Sequence, residues 1–143
     1  MEGADVADIV LSRGTRCNIT AADDFHSFHG MWDFQRGWIW VKAEELSPEA
    51  LLEALKNGQY YSSTGPQIHD VSLSPDRIIS INCSPAERVF VTGLGPAVVR
   101  QGGRGLTDVQ FDLSEFNSPY ARITVRDANG NRAWTNPFWF DEL

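Results

Sequence analysis

Beyond Pro66 the chain consists almost entirely of short strand-like segments separated by turn signals, and this half limits the possible folds most. The candidate strands are 68–73, 78–83, 88–92, 97–100, 108–113, 120–127 and 132–140. Segments of this length and spacing, rich in β-branched and aromatic residues, are typical of small all-β domains. We therefore predict a small antiparallel β-sandwich of immunoglobulin-like type over residues 67–143.

The clearest turn in this half contains Asn129 and Gly130, which tolerate the positive φ angles of a tight hairpin. Alternation along the strand before it directs Ile123 and Val125 towards the core. The positions predicted to face solvent are Arg122, Thr124 and Arg126. The Gly-rich stretch 100–105 is expected to be a second hairpin loop rather than an RNA-binding motif.

The first 66 residues have a different pattern. Residues 4–13 have apolar side chains at helical spacing, and Gly14 is placed to end that helix. Residues 17–22 are expected to form a short buried strand. A helix, a glycine and a strand that ends at polar residues are typical of a unit of a parallel α/β fold, whose active sites collect at the carboxyl ends of strands.

A strand at 37–43 and a second helix complete this half. Ser47 is suited to the N-cap of the helix and Pro48 to its first turn, and Gly58 ends it. The predicted buried stripe of the helix is Leu51, Leu52 and Leu55. The sequence thus predicts an α+β protein with two domains, an α/β segment at 1–66 and the β-sandwich at 67–143.

Composition excludes some functions. The formal net charge is −7 and the isoelectric point about 4.8, so a nucleic-acid partner is not expected. No apolar run is long enough to cross a bilayer, and the start lacks the pattern of a secretion signal, so no membrane association is expected. Cys17 and Cys83 are predicted to be buried free thiols rather than a disulfide, which favours a cytoplasmic protein.

Asp23, Asp24, His26 and His29 place two carboxylates and two imidazoles within seven residues, although the chain has three histidines in all. Asp24 and His26 are two apart, which on a strand puts both side chains on one face. Carboxylate oxygen and imidazole nitrogen together suit Zn²⁺, Mn²⁺ or Fe²⁺. Asp23, His29 and Asp33 are possible further ligands. The alternative is an acidic turn followed by surface histidines.

Two other polar groups invite a functional interpretation. His69, beside Asp70 on a strand, could act as a general base, but an exposed or hydrogen-bonded strand residue is the simpler interpretation. The hydroxyls of residues 62–64 could bind phosphate, but a strand end followed by Gly-Pro is the favoured interpretation.

Several motifs together resemble PHP-domain proteins, the polymerase and histidinol phosphatase family of metal-dependent phosphoesterases. The motifs are DDFH at 23–26, GWIWVKA at 37–43, LSPE at 46–49, ALKNG at 54–58, YSSTGP at 61–66 and AWTNP at 133–137. The resemblance implies a distorted (β/α)₇ barrel whose cluster of metal ions activates water to hydrolyse phosphoesters. Its last metal-binding motif, Asp-x-His, matches Asp24 and His26, so the resemblance implies that these two residues are metal ligands. It implies no such role for Asp23 or His29.

The other ligands of the family lie before this motif, yet the 23 residues that precede Asp24 contain no histidine. The resemblance therefore implies the last βα segment of a PHP-type barrel, followed by the β-sandwich. As a function we predict the C-terminal portion of a metal-dependent phosphoesterase, inactive alone, with a phosphoester substrate and a divalent Zn, Mn or Fe ion in the complete protein. The alternatives are a second chain that completes the metal site, or an independent β-sandwich module that self-associates as a homo-oligomer or binds a protein partner.

Overall fold

The computed structural model describes residues 3–26 and 33–142. Two helices and eight strands occur within these ranges. The helices are α1 (Gly3–Ser12) and α2 (Pro48–Lys56). The strands are β1 (Trp38–Val41), β2 (Tyr60–Ser63), β3 (Ile68–Leu73), β4 (Ile78–Thr92), β5 (Val98–Asp112), β6 (Tyr120–Arg126), β7 (Arg132–Thr135) and β8 (Phe138–Trp139).

The strands pair in antiparallel fashion in the order β1-β2-β7-β6-β4-β3, with β5 added to β4 and β8 to β6. The sheet curls into a half-barrel. The predicted fold class, a βα segment of a PHP-type barrel followed by an immunoglobulin-like sandwich, is therefore wrong. Strands from both sides of residue 66 share this sheet, because β2 hydrogen bonds to β7.

The parallel α/β unit fails at its strand. Residues 15–26 have no regular secondary structure, so the strand expected at 17–22 is not formed. None of residues 17–22 is fully buried, and a strand needs a neighbouring strand to take up its backbone hydrogen bonds. For Ile19, the side chains of Asn136 and Ser62 form these hydrogen bonds instead.

Strand β4 is the centre of the fold and merges two predicted strands. It pairs with β3 through its first half, with β6 through its second half, and with β5 along both. Register shifts on either side of Ala86 accommodate Pro85, whose missing N–H would otherwise break the ladder. The buried positions change phase there, from Ile79 and Ile81 to Ala86, and return at Val89.

The long β4–β5 hairpin also corrects the prediction for residues 100–105. These residues lie inside β5, and the hairpin turn is at 93–97, where the Gly93 N–H donates to the Ala97 carbonyl. Glycines inside a strand often mark bulges. The hydrogen-bonded register between β4 and β5 indeed shifts opposite this stretch.

The hairpin between β6 and β7 forms as predicted, with Gly130 at φ 88°. Ile123 and Val125 are buried. Arg122, predicted to face solvent, is only 3% exposed. Its guanidinium donates to both carboxylate oxygens of Asp8 in α1 at 2.7 Å, so the helix covers this face of β6 and brings its own countercharge.

Helix α2 begins as predicted, with the Ser47 hydroxyl accepting from the Ala50 N–H at 3.2 Å. Its apolar stripe, however, is not buried. Leu52 is 52% exposed and Leu55 36%, while Ala54 is the buried residue of the helix. The prediction of a buried Leu stripe is therefore wrong for these two leucines within the described chain.

Both cysteines are free thiols, as predicted. Cys83 is buried, which raises its pKa, but Cys17 is only half-buried, so the prediction that it is buried is wrong. Across the residues that the structure describes, neither helix has the length and apolar character needed to cross a bilayer.

Candidate functional site

The segment that leads to the Asp/His cluster is held on the sheet by two side chains. The Ile19 N–H donates to Asn136 Oδ1 at 2.8 Å, and the Ile19 carbonyl accepts from the Ser62 hydroxyl at 2.9 Å. Asn136 Nδ2 also donates to the carbonyls of Gly58 and Tyr60. A backbone without a strand partner is thus satisfied by polar side chains of the sheet and fixed in position.

Asp23 fixes the next part of the loop. Its carboxylate accepts the N–H groups of Gln35 at 2.8 Å, Arg36 at 2.5 Å and Gly37 at 2.7 Å. The bond from Gly37 is the largest cause of the lowered pKa of Asp23. Asp23 therefore organises the turn before β1, and both of its oxygens are used in doing so.

Asp24 and His26 follow, both exposed. Asp24 has φ 55°, in the left-handed region that few non-glycine residues adopt. The strand alternation that suggested a shared face does not apply to such a backbone. Asp24 instead lies at a turn of the loop, in a conformation that Gln35 and Arg77 also adopt in this chain.

His26 is oriented by Asp33. The Asp33 Oδ2 atom accepts the His26 backbone N–H at 2.8 Å and lies 3.2 Å from His26 Nδ1. A metal-binding histidine commonly has its other ring nitrogen hydrogen bonded to a carboxylate in this way. The second oxygen of Asp33, Oδ1, is buried and has no hydrogen-bond partner among the described residues.

These observations decide how well the residues suit a divalent metal. Asp24 and His26 offer the oxygen and nitrogen donors of a Zn²⁺, Mn²⁺ or Fe²⁺ site, and Asp33 positions the imidazole. Within residues 3–26 and 33–142, no three His, Cys, Asp or Glu side chains come together to hold a metal. His29 lies outside the described residues. Asp24 and His26 are therefore two candidate ligands, fewer than the three protein ligands of a typical catalytic zinc site.

The other two polar groups of interest are His69 and the hydroxyls of residues 62–64. His69 is exposed on β3. The Ser63 hydroxyl donates to the Pro66 carbonyl at 2.7 Å and accepts from the Gly65 N–H, and Thr64 Oγ1 bonds to the backbone of Arg132. These two hydroxyls shape the exit from β2 and its contact with β7.

Sequence reasoning missed a cleft beside the loop. It has a volume of about 480 Å³, and its walls include the backbone at 19–22, the turn at Arg36 and Gly37, and the strands β2 and β7. Arg132 and Trp134 contribute from β7. Arg36 and Arg132 are 96 positions apart in sequence, and the β1–β2 and β2–β7 pairings bring them to the same cleft.

Comparisons of this chain with protein-family models, with curated proteins and with solved structures gave no match.

The role of Asp23 gives a pH prediction. Its pKa is lowered in the folded chain, so its stabilising contribution is complete above the ordinary carboxyl range near pH 4 and is lost as the pH falls through its lower folded value. We expect amide exchange at Gln35, Arg36 and Gly37 to lose protection over that acid range. In Asp23→Asn this protection should be weak already at neutral pH. Equal protection in both proteins at neutral pH would contradict the assigned role.

Proposed function

We propose that this chain is the C-terminal portion of a metal-dependent phosphoesterase of the PHP kind, that Asp24 and His26 are two of its metal ligands, and that the chain alone does not hydrolyse phosphoesters. The observation that carries the proposal is the pairing of His26 Nδ1 with Asp33 next to the left-handed backbone of Asp24. The proposal is limited to these two ligands. It does not include a PHP-type barrel, because the described chain forms a mostly antiparallel sheet.

The roles follow from the local chemistry. His26 would bind the ion through Nε2, with Asp33 fixing the ring orientation and increasing the basicity of the imidazole. Asp24 would supply a carboxylate oxygen. A Zn²⁺, Mn²⁺ or Fe²⁺ ion bound there would lower the pKa of a coordinated water and so supply a nucleophile for phosphoester hydrolysis.

Exposed apolar side chains on both helices support the idea that this chain packs against a further polypeptide. Val6 and Ile9 in α1 are each 47% exposed, and Leu52 in α2 is 52% exposed. In a globular protein, an amphipathic helix normally buries its apolar side chains against the rest of the fold. A further part of the same protein, or a second chain, would cover them and bring the remaining metal ligands.

The test is to express the whole reading frame that encodes this chain and to assay it on a panel of phosphomonoesters and phosphodiesters with Mn²⁺ or Zn²⁺. We expect hydrolysis that falls at least about a hundredfold in Asp24→Asn and in His26→Gln. The matched control is His69→Gln, which removes an exposed histidine from β3 and should retain activity. The proposal would be contradicted if hydrolysis survives both loop substitutions. It would also be contradicted if the protein expressed from the whole reading frame hydrolyses none of these substrates.

The assay of residues 1–143 alone tests the remaining part of the proposal. With the same metals, the rate should equal that of the metal without protein, since two ligands hold an ion far more weakly than a complete set. Turnover by this chain that disappears in Asp24→Asn would overturn the expectation that it is inactive alone.

A second candidate is a module that self-associates. Among the described residues, β1 is the last strand at its edge of the sheet, Trp40 on it is 43% exposed, and Leu46 before α2 is 93% exposed. An open edge with apolar neighbours is a site where a second strand can pair. If this is the function, sedimentation velocity will show a dimer that Trp40→Lys dissociates, whereas a monomer at high concentration will exclude it.

A further inference from the structure

A large groove lies between the two ends of the curled sheet. Within the described chain, the path of paired strands ends at β1 and β3, and both strands line this groove together with β2. Tyr61 joins its two sides, because the Tyr61 hydroxyl accepts the Ile68 N–H at 3.1 Å. Among the described residues, the groove shares no lining residue with the cleft beside the Asp/His loop. It is therefore a separate candidate site.

The floor of the groove is apolar and includes an exposed indole. Trp40 lies opposite Tyr61 in the β1–β2 register, so both side chains are on one face of the sheet. Val71 lies opposite the core residue Ile81, which places it on the core face as well. Trp40 is nevertheless 43% exposed and Val71 37% exposed. The core face of the sheet thus remains open to solvent along this groove.

Polar side chains surround this floor. They are all exposed, and they carry ammonium, carboxylate, amide and imidazole groups: Lys42, Glu44, Gln59, Gln67, His69 and Asp70. Ammonium and amide N–H groups donate hydrogen bonds, carboxylate and amide oxygens accept them, and a neutral imidazole does both. The rim therefore offers donors and acceptors beside an aromatic surface.

This combination selects a neutral ligand with one apolar face and many hydroxyls. The rim carries charges of both signs, from Lys42 against Glu44 and Asp70, so it does not select an ion of one sign. A sugar ring has the matching chemistry. Its C–H groups form an apolar face that packs on an indole, and its neighbouring hydroxyls both donate to carboxylates and accept from amides.

The size of the groove agrees with a ligand of more than one ring. Its volume of about 1150 Å³ is above the usual range of about 300–1,000 Å³ for pockets that hold small molecules. We propose that the groove is a carbohydrate-binding site, which holds a linear oligosaccharide with one sugar ring stacked on Trp40 and with hydroxyls bonded to the polar rim. This binding goes beyond the proposed phosphoesterase function and requires no metal.

The experiment is a titration of the 143-residue chain in EDTA with linear hexasaccharides of glucose, of xylose and of mannose. Calorimetry follows binding in every variant, and the indole N–H resonance of Trp40 follows it in the unsubstituted chain. We expect saturable binding of at least one hexasaccharide, and Trp40→Ala should weaken it at least about tenfold. The matched control is Phe34→Ala, which removes an exposed aromatic side chain outside the groove and should leave the affinity unchanged.

A second pair of variants tests the polar rim. Asp70→Ala should weaken binding at least about threefold, because a carboxylate that accepts sugar hydroxyls is removed. Asp76→Ala removes an exposed carboxylate from the turn between β3 and β4 and should have no effect. This pair also keeps the test valid if Trp40→Ala fails to fold.

Three results would overturn the proposal. One is that none of the three hexasaccharides binds saturably. Another is that Trp40→Ala and Phe34→Ala bind the sugar equally well. The third is a dimer in sedimentation velocity that Trp40→Ala dissociates and the sugar does not, which would assign the groove to a second copy of the chain.

Discussion

Asp8→Ala is expected to lower the free energy of unfolding by about 2 kcal/mol, because it leaves the guanidinium of Arg122 buried without its countercharge. Arg122 is 3% exposed and donates to Asp8 through Nε and Nη2, and to Thr124 through Nη1. Removing one partner of a fully buried pair costs about 3–5 kcal/mol. We expect less here because the Asp8 side chain is 39% exposed, so water already screens the pair.

Urea unfolding of three variants measures this effect. Glu87→Ala, which removes an exposed carboxylate from β4, should change the free energy of unfolding by less than about 0.5 kcal/mol. The double variant Asp8→Ala/Arg122→Met should recover part of the loss, since an apolar side chain of similar length needs no countercharge. If Asp8→Ala is no more destabilising than Glu87→Ala, the ion pair does not hold α1 on the sheet.

Asn136→Ala should have a comparable effect, a loss of about 2–3 kcal/mol. One side chain accepts the Ile19 N–H and donates to the carbonyls of Gly58 and Tyr60, and each such bond contributes about 0.5–1.5 kcal/mol. Truncation leaves three backbone groups without this partner in a half-buried position. The amide of Ile19 should also lose its protection from hydrogen exchange, because the segment before the Asp/His loop is released.

Asn117→Ala is the matched control, since Asn117 is exposed in the turn before β6. It should change the free energy of unfolding by less than about 0.5 kcal/mol. Similar stabilities for the two variants would mean that the segment around Ile19 is held by other contacts. A stable Asn136→Ala protein with unchanged exchange at Ile19 would contradict the anchoring role directly.

Local signals predicted the parts of this fold that depend on near neighbours. Ser47 and Pro48 mark the start of α2, and Asn129 and Gly130 mark a hairpin, because capping and turn geometry are determined within a few residues. The burial of Ile123 and Val125 follows from simple alternation. These predictions needed no knowledge of distant partners.

The predictions failed where a residue that is distant in sequence determines the local structure. Arg122 obeys the outward alternation of β6, but α1 covers that face with Asp8, which no local pattern reveals. Two separate strands were predicted at 78–83 and 88–92, whereas β4 continues through both with register shifts on either side of Ala86. Residues 17–22 have the apolar character of a strand, yet they are satisfied by Asn136 and Ser62 rather than by a neighbouring strand.

In the candidate site, too, local sequence predicted some residues and not others. Asp24 and His26 could be identified from the motif itself, and they remain the predicted ligands. The role of Asp33 as the partner of His26 could not be predicted, because it depends on the path of the loop between them. Arg36 and Arg132 escaped notice altogether, since an isolated arginine on a turn or a strand carries no signal until the sheet brings the two together.

The proposed function depends most on metal binding at His26, which histidine side-chain NMR measures directly. In a Zn²⁺ titration of the chain with ¹⁵N-labelled histidine, the Nε2 resonance of His26 should shift at lower metal concentration than the resonances of His69. Asp24→Asn should raise the concentration needed at His26 about tenfold and leave the response of His69 unchanged. If His26 and His69 respond over the same range, and Asp24→Asn alters neither, His26 is an ordinary surface histidine and the proposed metal site is wrong.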